Sequence, residues 1–201
     1  MIPNWLNVSP MQGSGNGTIT NSAAAHTGRL ARTTLVTVTG VGVETPATYR
    51  VSQTPKAEFV EFTDGVEMSA PEEGGTLTIT GVTNSQSLTF AWVGDPYGVA
   101  LPASYLANGA TTGNGEAITG DPGAVSEFPF SIELSIPENE TILEVVRTLK
   151  VTATGGQSVQ IAIKQAQGDA VLIVTPTEVI IPQDGGSASV SVESNTTWSV
   201  S

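Results

Sequence analysis

The chain holds a single histidine, His26, and no cysteine. A Ser-His-Asp site needs that imidazole beside a hydroxyl nucleophile and a carboxylate. His26 stands in Ala25-His26-Thr27-Gly28, which reads as a turn between strands, so an exposed turn residue is expected. One histidine also falls short of a zinc ligand set. The lack of cysteine excludes disulfides, thiolate catalysis and Cys-based metal sites. Glycoside hydrolysis takes two carboxylates about 5–9 Å apart across a cleft. Glu116, Asp121, Glu127 and Glu133 are available, but their spacing singles out no pair. They read as acids that keep turns and outer strand faces soluble. Asp95 in Gly94-Asp95-Pro96 and Asp121 in Gly120-Asp121-Pro122 offer the oxygens calcium takes. The clustered acidic loop of a calcium site is missing, so both read as proline turns. Gly13-Ser14-Gly15-Asn16-Gly17 has no following Lys-Ser/Thr and no helix, so it is a turn rather than a phosphate cradle. The expectation is a chain with no enzymatic activity and no cofactor.

What remains is recognition chemistry. The stretch 95–130 is long for a loop in a compact domain, and such loops are often functional. It carries Tyr97, Tyr105, Asn108 and Asn114 among many glycines and prolines. Tyr with Asn and Gly is a paratope-like mixture that stacks on a sugar or grips a protein. These four residues are the expected ligand or partner contacts, with a protein contact favoured. Trp5, Trp92 and Trp198 fall at equivalent points of internal repeats and are expected to be core tryptophans.

The elements that must position these residues are strands. Leu35–Thr39, Thr76–Thr80, Ile132–Ile136, Leu149–Ala153, Val159–Ile163 and Ala188–Val192 alternate apolar and polar side chains. Period two puts one face on a core and the other in water. Gly74-Gly75, Gly155-Gly156 and Gly185-Gly186 punctuate them as turns. Only 13% of residues are charged, against the usual share of roughly 25%, and no segment shows sustained helical periodicity. The fold class is all-β, in tandem immunoglobulin-like β-sandwich modules. The net charge of −12 opposes nucleic acid as a partner. It is unevenly spread: residues 1–56 carry four bases against Glu44 alone, residues 57–170 carry 15 acids against three bases, and residues 171–201 carry three acids and no base. No run approaches the ~20 apolar residues of a membrane span, so no membrane insertion is expected. Met1-Ile2-Pro3-Asn4-Trp5 lacks the basic and apolar regions of a signal peptide.

Two repeats set the boundaries. Arg32-Thr33 opens a strand, a glycine turn and a strand ending in Gln53, and Arg147-Thr148 does the same up to Gln165. Glu73-Gly74-Gly75 leads to Asn84 and Trp92, as Asp184-Gly185-Gly186 leads to Asn195 and Trp198. The first pair closes a module and the second opens one. Residues 1–56 are therefore read as a partial N-terminal module, 57–170 as a complete module with the insertion 95–130, and 171–201 as the opening strands of a further module. An unpaired half-sandwich invites pairing. The expectation is that chain beyond Ser201 completes the last module. Donor strands or another protein would complete the first.

Trp5-Leu6-Asn7-Val8-Ser9-Pro10, Gly13-Ser14-Gly15, His26-Thr27-Gly28-Arg29, Arg32-Thr33 and Val51-Ser52-Gln53 resemble the BACON module (Bacteroidetes-associated carbohydrate-binding, often N-terminal). Val174-Thr175-Pro176 through Trp198 is similar to the opening half of that pattern, and the middle module is a looser match. The resemblance implies a seven-stranded immunoglobulin-like sandwich and a Bacteroidetes or gut-phage setting. Tandem modules of this kind occur in fibre proteins of phages infecting gut Bacteroidetes. The expected function is a non-enzymatic virion structural protein: a capsid-attached head fibre or decoration protein, or a tail fibre, with adhesion to host-surface glycans. It would be made in the host cytoplasm and reside in the virion. Its expected partners are other virion proteins of the capsid, copies of itself in a homo-oligomer such as a trimer, and cell-surface glycans. The alternative expectation is a carbohydrate-binding module of a secreted or surface protein of Bacteroidetes.

Overall fold

The computed structural model describes residues 1–119 and 126–201. Asp121, weighed above as a calcium ligand, lies outside the described residues, as does the Asp121-Pro122 turn. The described residues form fifteen strands and no helix; the fold is all-β.

The N-terminal segment pairs β1 (Asn7–Ser9) with β2 (Thr20–Ser22), and β3 (Arg32–Val38) with β4 (Ala47–Gln53), both antiparallel. Their apolar faces meet in a small cluster of Leu6, Val8 and Val36, with Ile2, Trp5, Tyr49 and Val51 packed against it.

The middle of the chain is an immunoglobulin-like sandwich of β5 (Val60–Phe62), β6 (Glu67–Ala70), β7 (Gly75–Thr83), β8 (Leu88–Val93), β9 (Ser104–Ala107), β10 (Ala110–Gly113), β11 (Phe128–Ile136), β12 (Val145–Ala153) and β13 (Ser158–Gln165). One sheet has the order β10-β9-β11-β7-β5 and the other β6-β13-β12-β8. The first strand is thus split. β5 pairs antiparallel with β7 in one sheet, and the chain then crosses so that β6 runs parallel to β13 in the other. Alternation drives the packing: along β11 and β12 every second residue is buried. Ile79, Leu88, Ile132, Leu149, Val151, Ile161 and Ile163 are wholly buried between the sheets. Burying each such side chain is worth roughly 1.5–3 kcal/mol. At Gly81 a Cβ would collide with the Glu61 carbonyl and the Phe130 ring, so the β5–β7 approach requires glycine there.

The stretch 95–130 corrects the expectation of a long loop. Residues 104–113 within it fold into the β9–β10 hairpin, which extends the sheet along β11 through Ala107↔Phe130 and Leu106↔Ser131. Its turn is Asn108-Gly109, with φ of 49° and 78°, the backbone of a two-residue hairpin turn that Asn-Gly favours. Phe128, Pro129 and Phe130 belong to β11 itself.

The last segment pairs β14 (Leu172–Thr175) with β15 (Ser191–Ser194), in the register Leu172↔Ser194 to Thr175↔Ser191. The alternating run read from Ala188 is a strand only from Ser191. Its partner strand stops before Pro176, which has no N–H to continue the ladder.

Candidate functional site

The N-terminal segment carries an open groove of about 660 Å³, lined by Asn4, Trp5, Leu6, Asn7, Ser22, Ala23, Ala24, Ala25 and Arg32. Three elements build it. A tight turn, with the Leu6 N–H donating to the Pro3 carbonyl at 3.1 Å, sets Trp5 at the mouth of β1. The end of β2 and the following loop supply Ser22 to Ala25. Arg32, the first residue of β3, supplies the cation.

Arg32 is held from two sides. Its Nε donates to Gln53 Oε1 at 2.9 Å, and Gln53 Nε2 donates to the Ala24 carbonyl at 2.8 Å. Its guanidinium carbon lies 4.8 Å from the centre of a Trp5 ring, within cation–π range. The groove therefore presents an indole, a guanidinium and the exposed amides of Asn4 and Asn7 on an otherwise small-residue wall. An aromatic platform beside fixed hydrogen-bond donors suits a hydroxyl-rich ligand. Trp5, expected in the core, is half-buried at the edge of its cluster. Trp92 does pack against the main core, with its indole nitrogen buried and unpartnered. Trp198 departs from the expectation, with 53% of its surface exposed.

An arginine–glutamine pair recurs in the middle module, bonded through a different guanidinium nitrogen. Arg147 Nη1 donates to Gln165 Oε1 at 2.8 Å, and Gln165 Nε2 donates to the Pro137 and Glu72 carbonyls at 2.7 and 2.9 Å. There the pair is buried, and burial pulls the Arg147 guanidinium below its ordinary pKa against the opposing pull of Tyr97 and Asp95. The repeated order of Arg-Thr, strand, glycine turn, strand and Gln was legible in sequence. That its Arg and Gln form a bonded pair, and that the first copy faces a groove, was not.

The four residues expected to make partner contacts go to separate places. Tyr97 is half exposed on the turn after β8, with φ of 48° and its ring 5.7 Å from the Arg147 guanidinium. Asn108 sits at the hairpin tip and lines a shallow hollow of about 310 Å³ with Thr63, Leu106 and Phe130. Tyr105 is only 3% exposed. Its ring meets Phe90 edge-on at 4.9 Å and its hydroxyl accepts from the Leu88 N–H at 3.2 Å. Burial pushes its phenol above the ordinary pKa, partly offset by that hydrogen bond. Asn114 Oδ1 accepts from the Phe90 N–H at 3.0 Å. Tyr105 and Asn114 therefore pin the hairpin to β8. Tyr105 presents no surface to a partner, because alternation along β9 turns it and Ala107 inward.

The residues weighed for chemistry are engaged otherwise. His26 Nε2 donates to the Leu30 carbonyl at 2.7 Å. Asp95 Oδ1 accepts from the Tyr97 N–H at 2.8 Å, bracing its turn. Glu127 lies 3.8 Å from Lys56. Among the described residues no group of three or more His, Asp or Glu side chains is placed to hold a metal.

Residues 3–55 match the family model described as the viral BACON domain, so this segment is a BACON-type module, as its motifs implied. No curated protein matches the chain. Solved structures that show distant similarity include the following three. A Bacteroides ovatus GH5 xyloglucanase in complex with a XXXG heptasaccharide is 14% identical, with a TM-score of 0.35, over 63% of this chain and 22% of its own. A protein from Bacteroides thetaiotaomicron solved by NMR is 17% identical, with a TM-score of 0.27, over 54% of this chain and 85% of its own. The extracellular cadherin domains 1–5 of protocadherin gamma B2 are 11% identical, with a TM-score of 0.37, over 97% of this chain and 38% of their own. The chain thus spans about a fifth of the xyloglucanase.

Proposed function

We propose that the chain is a non-enzymatic structural protein of a phage virion: a capsid-attached head fibre or decoration protein, or a tail fibre, that adheres to host-surface glycans. The match of residues 3–55 to a viral BACON domain carries this reading. The groove between Trp5 and Arg32 lies within those residues and supplies the adhesive surface. We assign no catalytic step, since His26 is taken up by a backbone carbonyl. Its partners on this reading are capsid proteins and further copies of the chain in a homo-oligomer, a trimer among the natural choices for a fibre. Nucleic acid is excluded from the reading on charge.

Immunogold labelling of purified virions with antibody raised against the 20.6 kDa chain tests the proposal. Gold on particles, at head or tail, is the expected outcome. Label confined to bacterial surfaces or culture medium would replace it with a carbohydrate-binding module of a bacterial surface or secreted protein.

A further inference from the structure

One hydrogen-bonded arrangement occurs twice along the chain, each time where one module meets the next. At the first junction Asn84 Nδ2 donates to the Thr27 carbonyl at 3.0 Å, in the loop after β2, and to the linker carbonyl of Ala57 at 3.2 Å. Its Oδ1 accepts from the Phe59 N–H at 2.9 Å. At the second, Asn195 Nδ2 donates to the Glu140 carbonyl at 2.9 Å, in the loop after β11, and to the linker carbonyl of Asp169 at 2.8 Å. Its Oδ1 accepts from the Val171 N–H at 2.8 Å.

The backbone repeats the pattern. The Lys56 N–H donates to the Gly28 carbonyl at 2.9 Å, and the Gly168 N–H to the Thr141 carbonyl at 2.7 Å. In both cases the asparagine stands just past the second strand of its module and reaches back over the linker to the module before it. A single planar amide spends both N–H groups and its oxygen on three backbone groups.

The receiving loops are themselves anchored. Gln53 ties the first through Ala24, and Gln165 ties the second through Pro137. A continuous path thus runs from the closing strand of one module, through its loop, to the asparagine of the next. The first junction adds Arg29 Nη1 donating to the Asn84 carbonyl at 2.8 Å, and Lys56 paired with Glu127 at 3.8 Å and seated 3.5 Å over the Phe59 ring. The second adds the Asp169 N–H donating to Glu72 Oε1 at 3.1 Å. A Cβ at Gly168 would collide with the Asn139 carbonyl.

We propose that this asparagine clamp is a repeated joint that fixes each module's orientation on the one before it, so that the chain is a stiff array with equivalent geometry at both junctions. The proposal goes beyond the virion reading and stands without it: any use of the chain then presents the Trp5 groove at a set distance and direction from the later modules.

The absence of native cysteine allows a direct test on the full chain. Val41→Cys with Leu106→Cys spans the first joint, and Leu106→Cys with Val179→Cys spans the second; all three positions are exposed. Spin labels at each pair report the distribution of distances between modules. One narrow distribution is expected for each native joint. Asn84→Ala and Asn195→Ala should each broaden their own joint about twofold or more and leave the other unchanged. Broad native distributions, or variants that leave the widths unaltered, would overturn the proposal. Should Asn84→Ala unfold the chain by circular dichroism, Asn84→Asp keeps the shape and the acceptor while losing both donors. It must give the same broadening.

Discussion

The Arg32 guanidinium lies against the Trp5 indole, 4.8 Å from ring centre to guanidinium carbon, and is fastened there by Gln53. One aromatic surface is thereby occupied by the protein's own cation. A ligand in the groove meets the rest of the indole and the outward edge of the guanidinium together. The groove is a composite of both residues rather than a bare aromatic shelf.

Binding on a glycan array should therefore depend on both. Trp5→Ala is expected to lower affinity tenfold or more, because the stacking surface is lost. Arg32→Lys keeps the charge but not the planar fork or the bond to Gln53, and is expected to weaken binding severalfold. Wild-type chain that binds no glycan, or binding indifferent to both changes, would end the adhesive part of the proposed function.

The two Arg–Gln pairs differ in burial, and their stabilities should differ accordingly. Gln165 is wholly buried. Gln165→Leu strands an Arg147 N–H and the Pro137 and Glu72 carbonyls, at a cost of about 3–5 kcal/mol. The bonds of Gln53 are reachable by water, so Gln53→Leu should cost about 1 kcal/mol. Urea denaturation of the two variants measures the difference. Equal losses would contradict the burial argument.

Alkaline pH should expose Tyr105. Its phenol holds its proton more tightly in the folded chain than in the unfolded one, chiefly because it is buried. A raised folded pKa contributes stability that is fully present below the unfolded value of about 10 and lost as pH rises through the folded value. Lys164, raised by its hydrogen bond and attraction to Glu67, acts in the same direction but from the surface, where such pairs are weak. Denaturation midpoints measured at rising pH should fall less steeply for Tyr105→Phe than for wild type. Parallel curves would show that Tyr105 does not set the alkaline limit.

Much of the fold was legible because period two is a strong signal in a chain with so few charges. The strands through Ile79, Ile132, Leu149 and Ile161 stand where alternation put them. The β9–β10 hairpin was missed although Asn108-Gly109 is a strong hairpin signal. Glycine and proline content made the segment look like a loop. Tyr105 looked like a surface contact because composition carries no facing; only the pairing of β9 with β11 turns it inward. The groove was hidden for a related reason. Trp5 was recognised by its repeat position, which implied core, while the lid on its ring comes from Arg32, a long-range neighbour in the folded chain. Asn84 and Asn195 were visible as equivalent positions, but their reach across a linker depends on where two modules meet.

The split first strand has a mechanical consequence. The chain enters the middle sandwich through β5, held on β7, then β6, and leaves it after β13; β6 and β13 run parallel through Glu67↔Ala162 to Ala70↔Gln165. Tension from the preceding module meets the short β5–β7 ladder first, and then pulls β6 and β13 past each other lengthwise. The bonds of the β6–β13 ladder, with the 2.7 Å Lys164–Glu67 bridge beside them, are loaded together in shear instead of being unzipped one at a time. Such a patch yields only when its bonds fail at once, so the sandwich resists extension along the chain far better than peeling across it.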